Sequence, residues 1–382
     1  MERLGVRSQT LYAYASRGRL QAEPDPHDPR RSRYRASEVA ALAQRKTRGR
    51  KAADVAAESI AWGEPVLASA ITTVWRGRLF YRGRDAAELA QNETLEGVAR
   101  LLRGGHGAAL KRSEREAPPT DAGMRSRLFA ALARRAGLDP PARGRAPLAL
   151  AVEAATLLDV LTDAVAGDKG GFESRVTAPN PNAIHQRLGM AWGVSPKQSD
   201  LIRCALVLLA DHELNASTFA ARVAASTGAS LAAASLAGLA ALSGPLHGGI
   251  SGRVRGFVAE SERVGPAEAV RARLAQGSPR PGFGHPLYPE GDPRAQALFR
   301  AFTLPPRFDA LRRSVEAATG EAANIDFALV ALAEVLKLPE DAPFALFAVG
   351  RCAGWIAHAM EQLATDRLIR PRARYEGPAP QV

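Results

Sequence analysis

Apolar positions along this chain recur mostly at i, i+3, i+4 and i+7, the period of amphipathic helices, and seldom alternate as they do in half-buried strands. From position 52 onward this pattern predicts helices at about 86–103, 123–136, 147–165, 182–192, 198–211, 216–226, 229–242, 266–275, 295–302, 308–318, 326–336 and 343–366. Only a short pair near 66–73 and 78–81 reads as strand. No segment repeats with a period of 20 to 50 residues, which argues against a solenoid. An all-α body is therefore expected. Residues 223–246 carry no charge and would be long enough to cross a bilayer, but Ala, Ser, Thr and Gly dominate them. That composition predicts close helix packing in a core or interface and no membrane span.

The first 50 residues have a different character. Ser8 can cap a helix over about 9–17 that Gly18 stops, and Ser37 can cap another through about 44. Between them Asp25, Pro26, Asp28 and Pro29 break the chain, and Arg30, Arg31, Arg33 and Arg35 surround Tyr34. The run LGVRSQTLYAYASRGRL followed by DPRRSRYRASEV resembles the winged helix-turn-helix of MerR or excisionase-like proteins, although only Met1 to Gly5 precede the turn. That resemblance implies DNA as a partner of residues 1–50, with one helix in the major groove and basic wing residues on phosphates.

Charge supports treating this head separately. The net charge is +12, and residues 1–51 hold 13 Lys or Arg against 5 Asp or Glu, whereas the remainder is nearly balanced. A basic head suits a polyanion, and a merely solvated basic surface is the plainer alternative. A hydrophobic share of 46% with 24% charged residues excludes disorder as the default. The start MERLGVRSQT lacks the apolar core of a secretory signal. Cys204 and Cys352 stand alone in apolar stretches, so buried free thiols in a reducing cytoplasm are expected, and no metal-ligand spacing is present.

Chemistry concentrates in four segments: DHELNAST at 211–218, GPLHGG at 244–249, GFGHPLYPEGDPR at 282–294 and ANIDF at 323–327. Of seven histidines, His212, His247 and His285 sit among glycines, prolines or acids, where backbone can approach a ligand and imidazole can exchange a proton near neutrality. Asp326 completes an acid–base set, unless it merely caps the helix that follows. His27, His106, His185 and His358 lack such settings and are expected to be surface or satisfied core residues.

These segments occur in the order and approximate spacing of citrate synthases. WRGRLFYRGRDAAELA at 75–90 resembles that family's early YRG segment, and GRCAGWIAHAMEQ with RLIRPRARY resembles its C-terminal region. The resemblance spans roughly 58–378. It implies a large helical domain of residues 58–249 and 336–382, a small one of 250–335 and a linker at 51–57. It implies condensation of acetyl-CoA, a substrate and not a cofactor, with oxaloacetate, followed by thioester hydrolysis. Asp326 matches the base, His247 the donor to the enol oxygen and His285 the group that polarises the ketone. Arg294, Arg351 and His212 match the oxaloacetate ligands, and Arg370 matches the arginine supplied by the neighbouring subunit of a homodimer.

The chain departs from the family after GFGH, where Pro286, Leu287, Tyr288 and Pro289 replace basic groups that help hold CoA phosphates; Arg253 or Arg280 are the substitutes at hand. Residues 104–145 also match the family poorly. A 2-methylcitrate synthase differs only by one methylene in an apolar pocket. A DNA-binding sensor of oxaloacetate or acyl-CoA is the alternative from another class, disfavoured because a sensor needs no base. A citryl-CoA lyase would run the same residues in reverse.

Overall fold

The computed structural model describes residues 22–25, 28–34, 67–105, 123–167, 183–373 and 377–378. Two compact units are formed, one by 1–68 with 371–382 and one by 69–370. In the first, β1 (Ala22–Asp25) pairs antiparallel with β2 (Asp28–Tyr34), with Ala22 opposite Tyr34. Asp25 and Asp28, the acids of the two Asp-Pro pairs expected to break the chain, face each other at the end of this pair. The helices expected at 9–17 and 37–44 lie outside the described residues.

The second unit opens with a small sheet, β3 (Thr72–Trp75), β4 (Arg78–Tyr81) and β5 (Arg84–Asp85), antiparallel in that order. Its first strand falls later than the sequence pattern placed it. Asp85 ends the sheet and starts α1 (Ala86–Asn92) by accepting the Ala87 and Glu88 amides at 2.7 and 3.0 Å. A single helix was expected over 86–103. The chain instead breaks at Glu93, and Thr94 caps a separate α2 (Leu95–Leu102) through the Gly97 amide.

Helices α3 (Met124–Leu138), α4 (Pro147–Ala166), α5 (Ile184–Ala191), α6 (Ser199–Leu209), α7 (Ala216–Ser226) and α8 (Leu231–Leu242) follow. Then come a 3₁₀ turn at Gly248–Ile250, α9 (Ser251–Val264), α10 (Pro266–Ala275), α11 (Pro293–Phe299), α12 (Pro306–Thr319), α13 (Ile325–Val335) and α14 (Ala342–Thr365). The pattern reading omits α9, although Val254, Phe257, Val258 and Ser261 form a regular buried stripe along it. Charged residues between those positions obscure the period. The all-α expectation otherwise holds, and no helix among the described residues is long and apolar enough to cross a membrane.

Among the described residues of 69–370, two apolar cores form. The larger is centred on α14, which is buried along nearly its whole length, as expected of a helix apolar on all sides. Cys204 and Cys352 are buried free thiols in it. Small residues set how closely other helices approach. A side chain at Gly350 would meet Leu209 Cβ at 2.9 Å, one at Gly354 would meet Asp211 Oδ1 at 2.2 Å, and one at Gly238 would strike the Trp355 ring at 2.7 Å. The second core contains Val254, Phe257, Phe283, Phe308 and Phe327, with Phe327 ringed at centroid distances of 4.9 Å from Phe283 and 5.5 Å from Phe308. Aromatic edges and faces at this spacing add to the apolar burial. Phe327 directly follows Asp326, so this core anchors the start of α13.

Candidate active site

The loop between α6 and α7 carries His212. Asn215 fixes its exit by capping α7: its Oδ1 accepts the Ser217 and Thr218 amides, both at 3.1 Å, and its Nδ2 donates to the His212 carbonyl at 3.1 Å. The His212 imidazole is buried, and its Nε2 lies 2.8 Å from the Tyr288 hydroxyl. Its ring stands edge-on to His285 at 5.1 Å, and Tyr288 lies 4.9 Å from His285. DHELNAST and GFGHPLY thus meet at one point.

A second junction brings the base to the same place. Phe283 and Ala323 form an antiparallel bridge, Gly284 N donates to Ala322 O and Asn324 N donates to Gly282 O, each at 2.9 Å. Gly282 and Gly284 take positive φ of 90° and 71°, which a side chain resists. Asn324 caps α13, accepting the Asp326 amide at 3.0 Å. Capping is therefore the work of Asn324, and the Asp326 carboxylate has no hydrogen-bond partner among the described residues.

His247 stands just before the 3₁₀ turn, its Nε2 2.9 Å from Ser217 Oγ and its ring edge-on to Phe347 at 5.9 Å. The tightest neighbours of the glycines beside it are the chain itself: a Cβ at Gly249 would lie 2.6 Å from Ser243 O, and one at Gly248 2.7 Å from a Leu242 methyl. They let the loop fold back and present His247.

Two buried arginines form the cationic part of the site. Arg294 donates through Nε and Nη2 to Asp292 at 2.9 and 2.8 Å, leaving Nη1 without a partner among the described residues. Arg351 donates from Nε to Leu209 O at 2.9 Å, and its Nη2 is buried with no partner among the described residues. Its guanidinium carbon lies 4.9 Å from the Phe347 ring centre. A buried cation with an unmet donor is costly, and a carboxylate ligand would remove that cost.

The surroundings set the charge states. Burial, then the two arginines, pushes His247 down to about 3, and burial followed by Arg294 pushes His285 down to about 4. His212 is driven well below the usual imidazole range by burial, with Arg294 and Arg351 adding to it. All three are neutral at pH 7. His285 Nδ1 accepts the Leu287 amide at 3.2 Å, which leaves its proton on Nε2 as a donor. Burial raises Asp326 to about 6 against the opposing pull of Arg294, while burial lowers Arg351 to about 10. Such a carboxylate is a stronger base than an exposed one and still ionised at neutrality.

Six of the seven residues singled out in the sequence therefore share one electrostatic environment. Arg370 does not join them: it is exposed, on the segment that Ile369 ties to Ser226 Oγ at 3.1 Å. His358 is buried between Asp211 and Arg222, as expected of a satisfied core histidine, whereas His185 is buried with its Nδ1 unpartnered among the described residues and so is not satisfied; His27 and His106 lie outside the described residues. Sequence reasoning missed Ser217, Tyr288 and Asp292. Each stands inside a quoted motif, and position within the motif was the available signal. Among the described residues no His, Cys, Asp and Glu cluster could hold a metal.

The chain matches the family described as citrate synthase, C-terminal domain, over residues 60–372. A provisionally named citrate synthase 2 of Mycobacterium tuberculosis is 34% identical over 337 residues, covering 80% of this chain and 88% of the relative. A 2-methylcitrate synthase 2 of Corynebacterium glutamicum is 35% identical over 183 residues, 45% of this chain and 48% of that one. Citrate synthase from Thermotoga maritima superposes with a TM-score of 0.67 at 28% identity, covering 84% of this chain and 96% of that structure. The site, the fold and these likenesses agree, and the chain belongs to the citrate synthase family.

Proposed function

We propose that this enzyme condenses acetyl-CoA with oxaloacetate and water to give citrate and CoA, with Asp326 as the base. The observation that carries this reading is a raised, unpartnered carboxylate in the same field as two buried arginines and three neutral imidazoles. Asp326 takes a methyl proton from the thioester while His247 donates a hydrogen bond to the developing enol oxygen. His285 donates Nε2–H to the ketone of oxaloacetate, so the enol carbon attacks an electrophilic carbonyl. Arg351, Arg294 and His212 hold the oxaloacetate carboxylates, and water then hydrolyses the citryl thioester.

Arg253 is the better candidate for the CoA phosphates. Arg280 is engaged by Glu321 through two hydrogen bonds of 2.8 and 3.0 Å, whereas exposed Arg253 reaches the Pro245 carbonyl, two residues from His247. The second core, within 250–335, is the part that closes on oxaloacetate in this reading. Arg370 serves the neighbouring site of a homodimer, which its exposure leaves it free to do. Residues 1–50 are the part that would meet DNA, and the buried free thiols suit a cytoplasmic enzyme.

Thiol release is measured with oxaloacetate and either acetyl-CoA or propionyl-CoA, and the product is identified by mass. Citrate formed faster than 2-methylcitrate supports this reading. The reverse order overturns the acyl assignment, and no release with either overturns the synthase.

A further inference from the structure

Ser217 Oγ is a crowded atom with a single hydrogen. Buried Trp355 donates its indole N–H to it at 3.1 Å, Asn215 Oδ1 lies 2.7 Å away, and His247 Nε2 lies 2.9 Å away. Trp355 is only ever a donor here, and Asn215 Oδ1 is only ever an acceptor. The hydroxyl hydrogen must therefore go either to Asn215, with His247 holding its proton on Nε2, or to His247 Nε2, with the proton on Nδ1. With Nε2 facing Ser217, Nδ1 is the nitrogen left for a substrate oxygen, and only the second arrangement makes it a donor. Asn215 Oδ1 already accepts two backbone amides, so the hydroxyl is a third donor there, and at 2.7 Å against 2.9 Å Asn215 and His247 compete for its hydrogen.

We propose that Trp355 is a positioning residue for the condensation: its N–H, given to Ser217 Oγ, biases the hydroxyl to donate to His247 Nε2 and so maintains the Nδ1–H form. The physical reason is cooperativity. A hydroxyl that accepts one hydrogen bond becomes a stronger donor and a poorer acceptor of a second, which disfavours Nε2–H pointing at Ser217. The arrangement is built into the packing, because Gly238 is the residue that leaves room for the Trp355 ring. This inference rests on the proposed role of His247 as donor to the enol oxygen.

The test replaces Trp355 by Phe, and separately by the isosteric benzothienylalanine, which keeps the bicyclic ring and lacks the N–H. Both are made in the wild-type and Ser217→Ala backgrounds. Expected are a kcat lowered about tenfold with the oxaloacetate KM within twofold, and no further loss when Ser217 is already Ala. Nitrogen-15 spectra, with His247 assigned by its loss in His247→Gln, should shift toward the Nε2–H tautomer. An unchanged kcat and tautomer in the benzothienylalanine protein would overturn the proposal, as would equal losses in both backgrounds, which mean packing alone. Normal turnover in His247→Ala, which has no side-chain donor, would instead remove the underlying donor role.

Discussion

Asp292 holds Arg294 through two hydrogen bonds of 2.9 and 2.8 Å, and the same Oδ2 accepts the Ile325 amide at 3.0 Å, one residue before Asp326. One buried carboxylate thus sets both a proposed oxaloacetate ligand and the start of the helix that carries the proposed base. Asp292 is held below the ordinary carboxylate range because the Arg294 contacts outweigh its burial.

Removing that carboxylate leaves a buried arginine without its partner. Asp292→Ala should lower stability by about 3–5 kcal/mol, measured by urea unfolding at pH 7. A loss near zero would mean that Arg294 is solvated and not held by this pair.

Asp326 has a raised folded pKa, about 6, so the folded state prefers it protonated. Its favourable contribution is complete below the unfolded pKa and is lost as pH rises through about 6. Asp326→Asn should therefore stabilise the protein at pH 7.5, on the order of 2 kcal/mol, and flatten stability between pH 4 and 7. Wild-type kcat should rise with pH through about 6 and then level, since the base acts ionised. Thermal melts and rates across this range check both signs.

Arg351 is committed through Nε to Leu209 O, with a second donor unmet. Lysine cannot reproduce that planar fork, so Arg351→Lys should weaken oxaloacetate binding about 100-fold by calorimetry. Unchanged affinity would place the ligand elsewhere.

Gly354 lets α14 touch the 210–211 backbone, with its amide donating to Ala210 O at 2.9 Å. Gly354→Ala should cost about 1–3 kcal/mol by chemical unfolding and displace Arg351, raising the oxaloacetate KM. A variant as stable as wild type would show that Asp211 yields freely.

The helices and the charged set were largely legible in the chain. Helices α7 and α10 begin and end where periodicity placed them, because Asn215 and Pro266 are strong start signals. Helix α9 escaped because Arg255 and Glu260 interrupt its apolar stripe, and the break at Glu93 escaped because only the Thr94 cap marks it. His212, His247, His285 and Asp326 stood out by their neighbours. Ser217, Tyr288 and Trp355 did not, since a serine, a tyrosine or a tryptophan in a helical protein is ordinary until its hydrogen bond is seen. The glycines of GPLHGG were legible as necessary, but the atoms that require them, the Leu242 side chain and the carbonyls of Ser243 and Gly244, are not marked by any sequence pattern.

The most direct measurement compares thiol release from acetyl-CoA in the wild-type enzyme and in Asp326→Ala, each mixed with oxaloacetate at pH 7.5, with oxaloacetate affinity taken on the same samples. Citrate formation by the wild type, a turnover at least about 10³-fold lower in the variant and an oxaloacetate affinity within a few fold are expected. Normal turnover in the variant would contradict Asp326 as the base.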